Sequence, residues 1–272
     1  MRHKTVEAGR LEKVIYSERG SIAEIIMACD RNLNAIDEQM ADELLISLTR
    51  AEASPYVKAV LLRSGGRAFS SGGDIRYFYQ QIQSGEEVDL DPLIRKVGQL
   101  ADFMKRMGKL IVIAVGGVAA GAGVSLALGG DFILCADNAS FILAFSKLGL
   151  VPDTGASYLL SKCIGSSRTL ALAVTGRPVT AKEAIELGLV HMVIPTDELE
   201  ETALRFTCDL ATGPLVVYKN LKRQLYDASF SDYARWLSET EVQTQHECSL
   251  TTDFREGVLA FVEKRKPSFK GQ

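Results

Sequence analysis

The sequence predicts an α/β fold with a largely parallel sheet, followed by a block of helices. Three observations carry that prediction. The runs VKAVLLRS (57–64), IVIAV (111–115) and FILCA (132–136) are short and apolar on both faces, as strands covered by helices on either side are. Glycine-rich loops, GGRAFSSGGD (65–74) and GGVAAGAG (116–123), follow two of these runs. Beyond about residue 195 strand patterning gives way to consecutive helical segments.

In chain order, EKVIYSER (12–19) and SIAEIIMA (21–28) flank Gly20 in the pattern of a hairpin. Residues 30–34, DRNLN, are rich in turn formers. Asp37 is placed to cap a helix running to about Ala51, with Met40, Leu44, Leu45 and Leu48 on its inner face. Residues 76–90 are expected to be irregular and exposed, and a helix is expected over about 92–107. The segment Leu110–Gly130 carries no charge and is long enough to span a bilayer. Its character changes partway, from β-branched LIVIAV, through a GGV break, to small-residue AAGAGVSLAL. A strand, a break and a helix are therefore expected instead of a membrane span. Four helical segments close the chain, at 198–211, 214–228, 231–249 and 251–265. The expected division is a core over 1–195 and a helical region over 196–272 that packs on the core or mediates assembly.

Composition narrows the function classes. Hydrophobic residues at 47% and charged residues at 24% match a globular chain able to bury a large core. A net charge of −3 supplies no field for a nucleic-acid backbone. Five cysteines, odd in number and without a CxxC pair, fit reduced thiols in the cytoplasm. His3, His191 and His246 lie too far apart in sequence to suggest a metal cluster. The N-terminal MRHKTVEAGRLEK lacks the apolar core of a signal peptide.

Glycine loops let the backbone approach a ligand with N–H groups free, and a helix N-terminus adds partial positive charge. Two such N–H groups converging on one oxygen form an oxyanion hole. Neither loop is followed by GK[ST], and GxG at 121–123 lacks the third glycine of a dinucleotide fingerprint. On pattern alone, turns and tight packing explain both loops better than a ligand site does.

The pieces NLNAID (32–37), RAFSSGGDI (67–75), GGVAAGAGVSLALGGDFILCAD (116–137), FSKLGLVPDTGASYLLSKCIG (145–165), AKEAIELGLVHMVIP (181–195) and FREGVLAFVEKRKPSF (254–269) together resemble the crotonase (enoyl-CoA hydratase/isomerase) superfamily. They stand in the order and spacing of that family. Within it they are most similar to the isomerases of ring-epoxide phenylacetyl-CoA and of Δ3,Δ2-enoyl-CoA. The resemblance implies stacked ββα turns, a C-terminal helical region that builds homotrimers or homohexamers, and an acyl-CoA thioester as substrate. It implies no metal and no redox cofactor, the CoA thioester being the substrate; with the charge and the broken apolar segment above, no nucleic-acid or membrane partner is expected.

It also assigns residues. Backbone N–H groups of Gly73 and Ala122 would hold the thioester oxygen. Coenzyme A would lie along Asn34, Ala35, Ile36, Ala68, Ser70, Gly72 and Asp74, with Phe261 and Lys264 meeting the CoA of a neighbouring subunit. Hydratases of the family use two glutamates, and those positions read Ser125 and Phe145 here, which would shape an acyl pocket instead. The acid/base position of the isomerase-type members reads Asp153.

Asp153 has two readings. Asp after Pro, ahead of TGASYLL, suits the N-cap of a helix from Thr154 onward. The resemblance makes it instead the single acid/base that moves a proton beside the thioester carbonyl. The expected function is an acyl-CoA isomerase that shifts a double bond or rearranges a ring epoxide. The alternatives are hydration, dehydration or decarboxylation on the same scaffold, or a non-catalytic acyl-CoA-binding subunit.

Overall fold

The structure, a computed structural model, describes residues 6–85 and 88–272. The polar stretch 1–5, with His3, and Glu86 and Glu87 of the 76–90 segment lie outside the described residues.

The chain opens with three antiparallel strands, β1 (Val6–Arg10), β2 (Val14–Arg19) and β3 (Ile22–Met27), the last two turning at Gly20 as the sequence predicts. Helix α1 (Glu38–Ala53) starts where Asp37 Oδ1 accepts from the Met40 N–H at 2.9 Å, and Met40, Leu44 and Leu48 are buried along its inner face. Strand β4 (Ala59–Ser64) then joins β3 in parallel.

Residues 76–90 depart from expectation. They contain most of α2 (Ile75–Ser84), and Phe78, Val88 and Leu90 are buried. The physical reason is legible afterwards. Ile75, Phe78, Tyr79 and Ile82 recur at helical spacing, Asp74 caps the start and Gly85 at φ 76° ends the helix. Helix α3 (Asp91–Arg106) follows. The charge-free stretch resolves into β5 (Leu110–Val115), β6 (Val118–Ala120) and α4 (Ala122–Gly129). Among the described residues no helix is long and apolar enough to cross a membrane.

Next come β7 (Phe132–Ala136), β8 (Ser140–Ile142), α5 (Ala156–Ile164), α6 (Ser166–Thr175), β9 (Pro178–Thr180), α7 (Ala181–Glu186) and β10 (Met192–Ile194). The main sheet runs β1-β2-β3-β4-β5-β7-β10, parallel from β3 onward, and a second sheet runs β6-β8-β9. Each turn of the chain thus pairs a strand in the main sheet with a short segment in the second layer and then a helix: β5, β6, α4, and β7, β8, α5. The turn before them has β4, then Ser70 bridged to Ala119, then α2. These are stacked ββα turns.

The closing helices are α8 (Leu199–Ala211), α9 (Leu215–Ser229), α10 (Tyr233–Trp236), α11 (Val242–Ser249) and α12 (Thr252–Val262), with a π-helical turn, Leu237–Glu241, joining α10 to α11. On α8, Leu199 and Ala203 pack against Leu61, Val112, Ala114 and Leu134 on one face of the main sheet. Val60, Leu62, Ile111 and Ile113 face the larger core on the other side. Coverage of both faces explains why β4 and β5 are apolar throughout.

Candidate active site

Three successive ββα turns bring helix N-termini to one place. Asp74 Oδ1 accepts from the Arg76 N–H at 3.1 Å and caps α2, so Gly73 immediately precedes the cap of that helix. Ala122 is the first residue of α4, after Gly121 at φ 50°. Asp153 stands just ahead of α5. The partial positive charge of the helix ends favours negative charge in the space they share.

The two glycine loops are held together by hydrogen bonds. Phe69 N–H donates to Val118 O at 3.0 Å and Ala120 N–H to Ser70 O at 2.9 Å. A Cβ added at Gly72 would meet Ala120 O at 2.7 Å and Ala122 N at 3.4 Å, which measures how closely the loops approach. Among the described residues, neither the Gly73 nor the Ala122 N–H has a hydrogen-bond acceptor. Two free donors beside one another are what an oxyanion hole requires.

These donors border a cavity of about 580 Å³. Phe78, Leu90, Leu93, Ile94, Val97 and Phe145 form an apolar wall, and Arg31, Arg67, Arg76 and Lys147 stand at the cavity with exposed side chains. Of the residues singled out in the sequence, Ala35, Ile36, Gly72, Gly73, Asp74, Ala122, Phe145, Asp153 and Phe261 line this cavity. Asn34, Ala68, Ser70 and Ser125 lie behind the lining, and Lys264 is exposed outside it. Asn34 supports the loops: Oδ1 accepts from the Cys29 N–H at 2.8 Å, and Nδ2 donates to Ser64 Oγ at 2.9 Å. Ser70 Oγ donates to Asn34 O at 2.8 Å and accepts from the Gly72 N–H at 3.1 Å.

Asp153 does not cap α5. That helix begins at Ala156, after Thr154 (φ 59°) and Gly155 (φ 81°) in the left-handed region, and no side chain caps it. The helix expected from Thr154 is delayed by that turn. The Asp153 carboxylate instead accepts from Thr154 Oγ1 at 3.0 Å and from Gln245 Nε2 at 3.0 Å. Burial pushes its pKa up to about 6, against the opposing effect of those donors. Ser125 Oγ, from α4, donates to the Asp153 carbonyl oxygen at 2.8 Å.

Sequence reasoning missed Thr154, Glu241 and Gln245. The last two sit in a polar helical stretch, SETEVQTQHE (238–247), that carries no mark of its contact with a segment about ninety residues away. It also passed over Arg31, Arg67, Arg76 and Lys147, although each lies in or beside a turn-rich or loop piece. Tyr158, one turn into α5, donates to Asp232 Oδ1 and packs against Tyr233 and Trp236, away from the cavity.

The profile of the family described as enoyl-CoA hydratase/isomerase matches residues 17–272. The chain is 34% identical over 248 residues to the 1,2-epoxyphenylacetyl-CoA isomerase of Escherichia coli (strain K12), covering 88% of this chain and 91% of that one. It is 30% identical over 261 residues to the trans-2-decenoyl-[acyl-carrier-protein] isomerase of Streptococcus mutans serotype c, covering 96% and 99%. A crystal structure of an enoyl-CoA hydratase from Mycobacterium avium subsp. paratuberculosis K-10 superposes with a TM-score of 0.87 at 30% identity, covering 96% of this chain and all of that one. Isomerases and a hydratase thus share this scaffold, and the chain is an enzyme belonging to the enoyl-CoA hydratase/isomerase family of crotonase fold.

Proposed function

We propose that the enzyme isomerises an unsaturated or ring-epoxide acyl-CoA through a thioester enolate, with Asp153 as its single acid/base. One observation carries the reading. Of the two carboxylates on the cavity lining, Asp74 is committed to capping α2, whereas Asp153 caps no helix, accepts from the Thr154 and Gln245 side chains and lines the cavity that the free N–H groups border. A carboxylate with a pKa near 6 is ionised at neutral pH and basic enough to exchange protons.

For a Δ3-enoyl thioester, ionised Asp153 removes a C2 proton. The carbonyl oxygen takes up the resulting charge against the Gly73 and Ala122 N–H groups. Neutral Asp153 then returns the proton at C4, and the double bond rests between C2 and C3. No electron acceptor, metal or water is consumed, so the proposed reaction needs no cofactor beyond the CoA thioester. Two-acid hydration is disfavoured, because Ser125 and Phe145 occupy the positions where the resemblance places the hydratase glutamates.

In the same reading, the CoA chain runs past Ala35, Ile36, Ala68, Ser70 and Gly72, with Arg31, Arg67, Arg76 and Lys147 available to its phosphates. The exposed apolar side chains Leu170 and Val174 on α6 and Val216, Leu221 and Leu225 on α9 are matched by self-association as a homotrimer or homohexamer. That assembly would present Phe261 and Lys264 to a neighbouring copy. A cytoplasmic setting suits the reduced cysteines.

The test is incubation with a cis-3-enoyl-CoA, following the ultraviolet absorbance of the conjugated 2-enoyl thioester. Asp153→Asn is run beside the parent, with CoA binding measured for both. Conjugation by the parent and its loss in a variant that still binds CoA is the expected result. Equal turnover by the two overturns the role of Asp153.

A further inference from the structure

The C-terminal helices reach the cavity through one face of one segment. Glu241 ends the π-helical turn and Gln245 follows four residues later, so both side chains project on the same side. Both are buried, Glu241 at 1% exposure and Gln245 at 0%. Their polar atoms converge on a single short stretch, 151–155. Gln245 Oε1 accepts from the Val151 N–H at 3.1 Å, and its Nε2 donates to Asp153 Oδ2 at 3.0 Å. Glu241 Oε2 accepts from the Gly155 N–H at 2.8 Å.

That stretch needs outside support. Thr154 is β-branched yet sits at φ 59°, a conformation such residues rarely adopt and hold only where neighbours impose it. Gly155 follows at φ 81°, and a Cβ built there would overlap Tyr233 Oη. Left to itself, the residue run would favour extension of α5 back toward Asp153, with the carboxylate turned to the helix end.

We propose that Glu241 and Gln245 are positioning residues for the base: Glu241 holds the left-handed Thr154–Gly155 turn, and Gln245 fixes the Asp153 carboxylate toward the cavity. The inference rests on the reading of Asp153 as the acid/base. Among the described residues, Glu241 pairs with no Lys or Arg, and its Oε1 and the nearby Tyr233 Oη have no hydrogen-bond partner. Burial, and then the charge of Asp153, hold Glu241 well above the usual carboxylate range.

The groups facing the Asp153 turn are Ser125 from α4, Tyr233 and Glu241 from α10 and the π-helical turn, and Gln245 and Cys248 from α11, the last bonded to the Val151 backbone. Around the cavity stand Arg31, Arg67, Asp74, Arg76 and Lys147. Tyr158 is turned to Asp232 and His246 to Asp91.

The test is the pH dependence of cis-3-enoyl-CoA conjugation by Gln245→Leu, Glu241→Leu and Glu241→Gln, with Asp153→Asn alongside and a thermal melt for each. Loss of the Gln245 donor favours the neutral carboxyl, so the acidic limb of kcat is expected to move up by about one pH unit. KM is expected to stay within about threefold of the parent. Glu241→Leu is expected to lower kcat by about tenfold or more. Glu241→Gln should recover most of that loss, since an amide oxygen still accepts from Gly155. An unmoved acidic limb in Gln245→Leu overturns the proposal, as does a Glu241→Gln variant as impaired as Glu241→Leu. Should Glu241→Leu fail to fold, Gln245→Leu decides alone. A fully active Asp153→Asn would overturn the base assignment itself, whereas an inactive Asp153→Asn with an unmoved limb in Gln245→Leu overturns only the positioning role.

Discussion

Ser125 Oγ donates to the main-chain carbonyl of Asp153 at 2.8 Å. Ser125 lies on α4, three residues beyond Ala122, so the helix whose first N–H is free also tethers the turn that carries Asp153, the proposed base. The spacing between the two halves of the site is thereby set by one short helix. Ser125→Ala is expected to lower stability by about 1 kcal/mol through the lost buried hydrogen bond. It should lower kcat with KM retained, since the tether touches the base and not the CoA. Thermal melts and steady-state kinetics check both, and an unchanged kcat would remove Ser125 from the positioning of Asp153.

Asp153 couples activity and stability to pH in opposite directions. With its pKa raised to about 6, the basic form is lost on acidification, so kcat should fall through that pH and the fall should vanish in Asp153→Asn. For stability the sign reverses. A carboxyl raised in the folded chain stabilises it below the ordinary pKa of 3.8, and that contribution is lost as pH rises through about 6. Asp153→Asn is therefore expected to be more stable than the parent at pH 8, by roughly 3 kcal/mol, and to match it near pH 4 and below. Glu241, also raised by burial, adds to the same trend. A variant less stable than the parent at pH 8 would contradict the cost of burying this charge.

How far the sequence foretold this arrangement depends on the range of each interaction. The parallel strands β4, β5 and β7, the Gly20 hairpin and the Asp37 cap were legible because apolar runs and capping residues act locally. The helix at 75–84 departs from expectation because Arg76, Gln80, Gln81 and Gln83 give it a strongly polar face, while the Ile75, Phe78, Tyr79, Ile82 spacing that packs it is short. The cap reading of Asp153 failed for a different reason. Proline followed by Asp, Thr and Gly is a sound local signal for a helix start, and it was overridden by contacts from Glu241 and Gln245 that lie 86 and 92 residues away. The short strands β6, β8 and β9, three residues each, exist only through their pairing with one another and leave no pattern in the chain.

The Ala122 N–H can be removed without removing the helix. Proline at the first helical position lacks only a donor that the helix itself does not use. Ala122→Pro is therefore expected to keep the melting temperature near that of the parent while lowering kcat by about a hundredfold or more, the effect of losing one oxyanion donor. CoA binding should persist. Retained kcat in a folded Ala122→Pro variant would exclude this N–H from the hole.

Gly72 offers the last test, because its role is spatial. It sits at φ 89°, and a Cβ there would meet Ala120 O at 2.7 Å and Ala122 N at 3.4 Å. Gly72→Ala must therefore pay for a left-handed conformation and push the two glycine loops apart, just where their N–H groups converge. Gly20 is the control. It has φ 61° and open space where a Cβ would stand, so Gly20→Ala bears the conformational term alone, about 1 kcal/mol. Gly72→Ala should cost clearly more than that in chemical denaturation, and it should lose kcat while Gly20→Ala keeps it. Equal costs for the two, with activity intact in both, would mean that the loops tolerate separation and that their close approach at Gly72 does not build the hole.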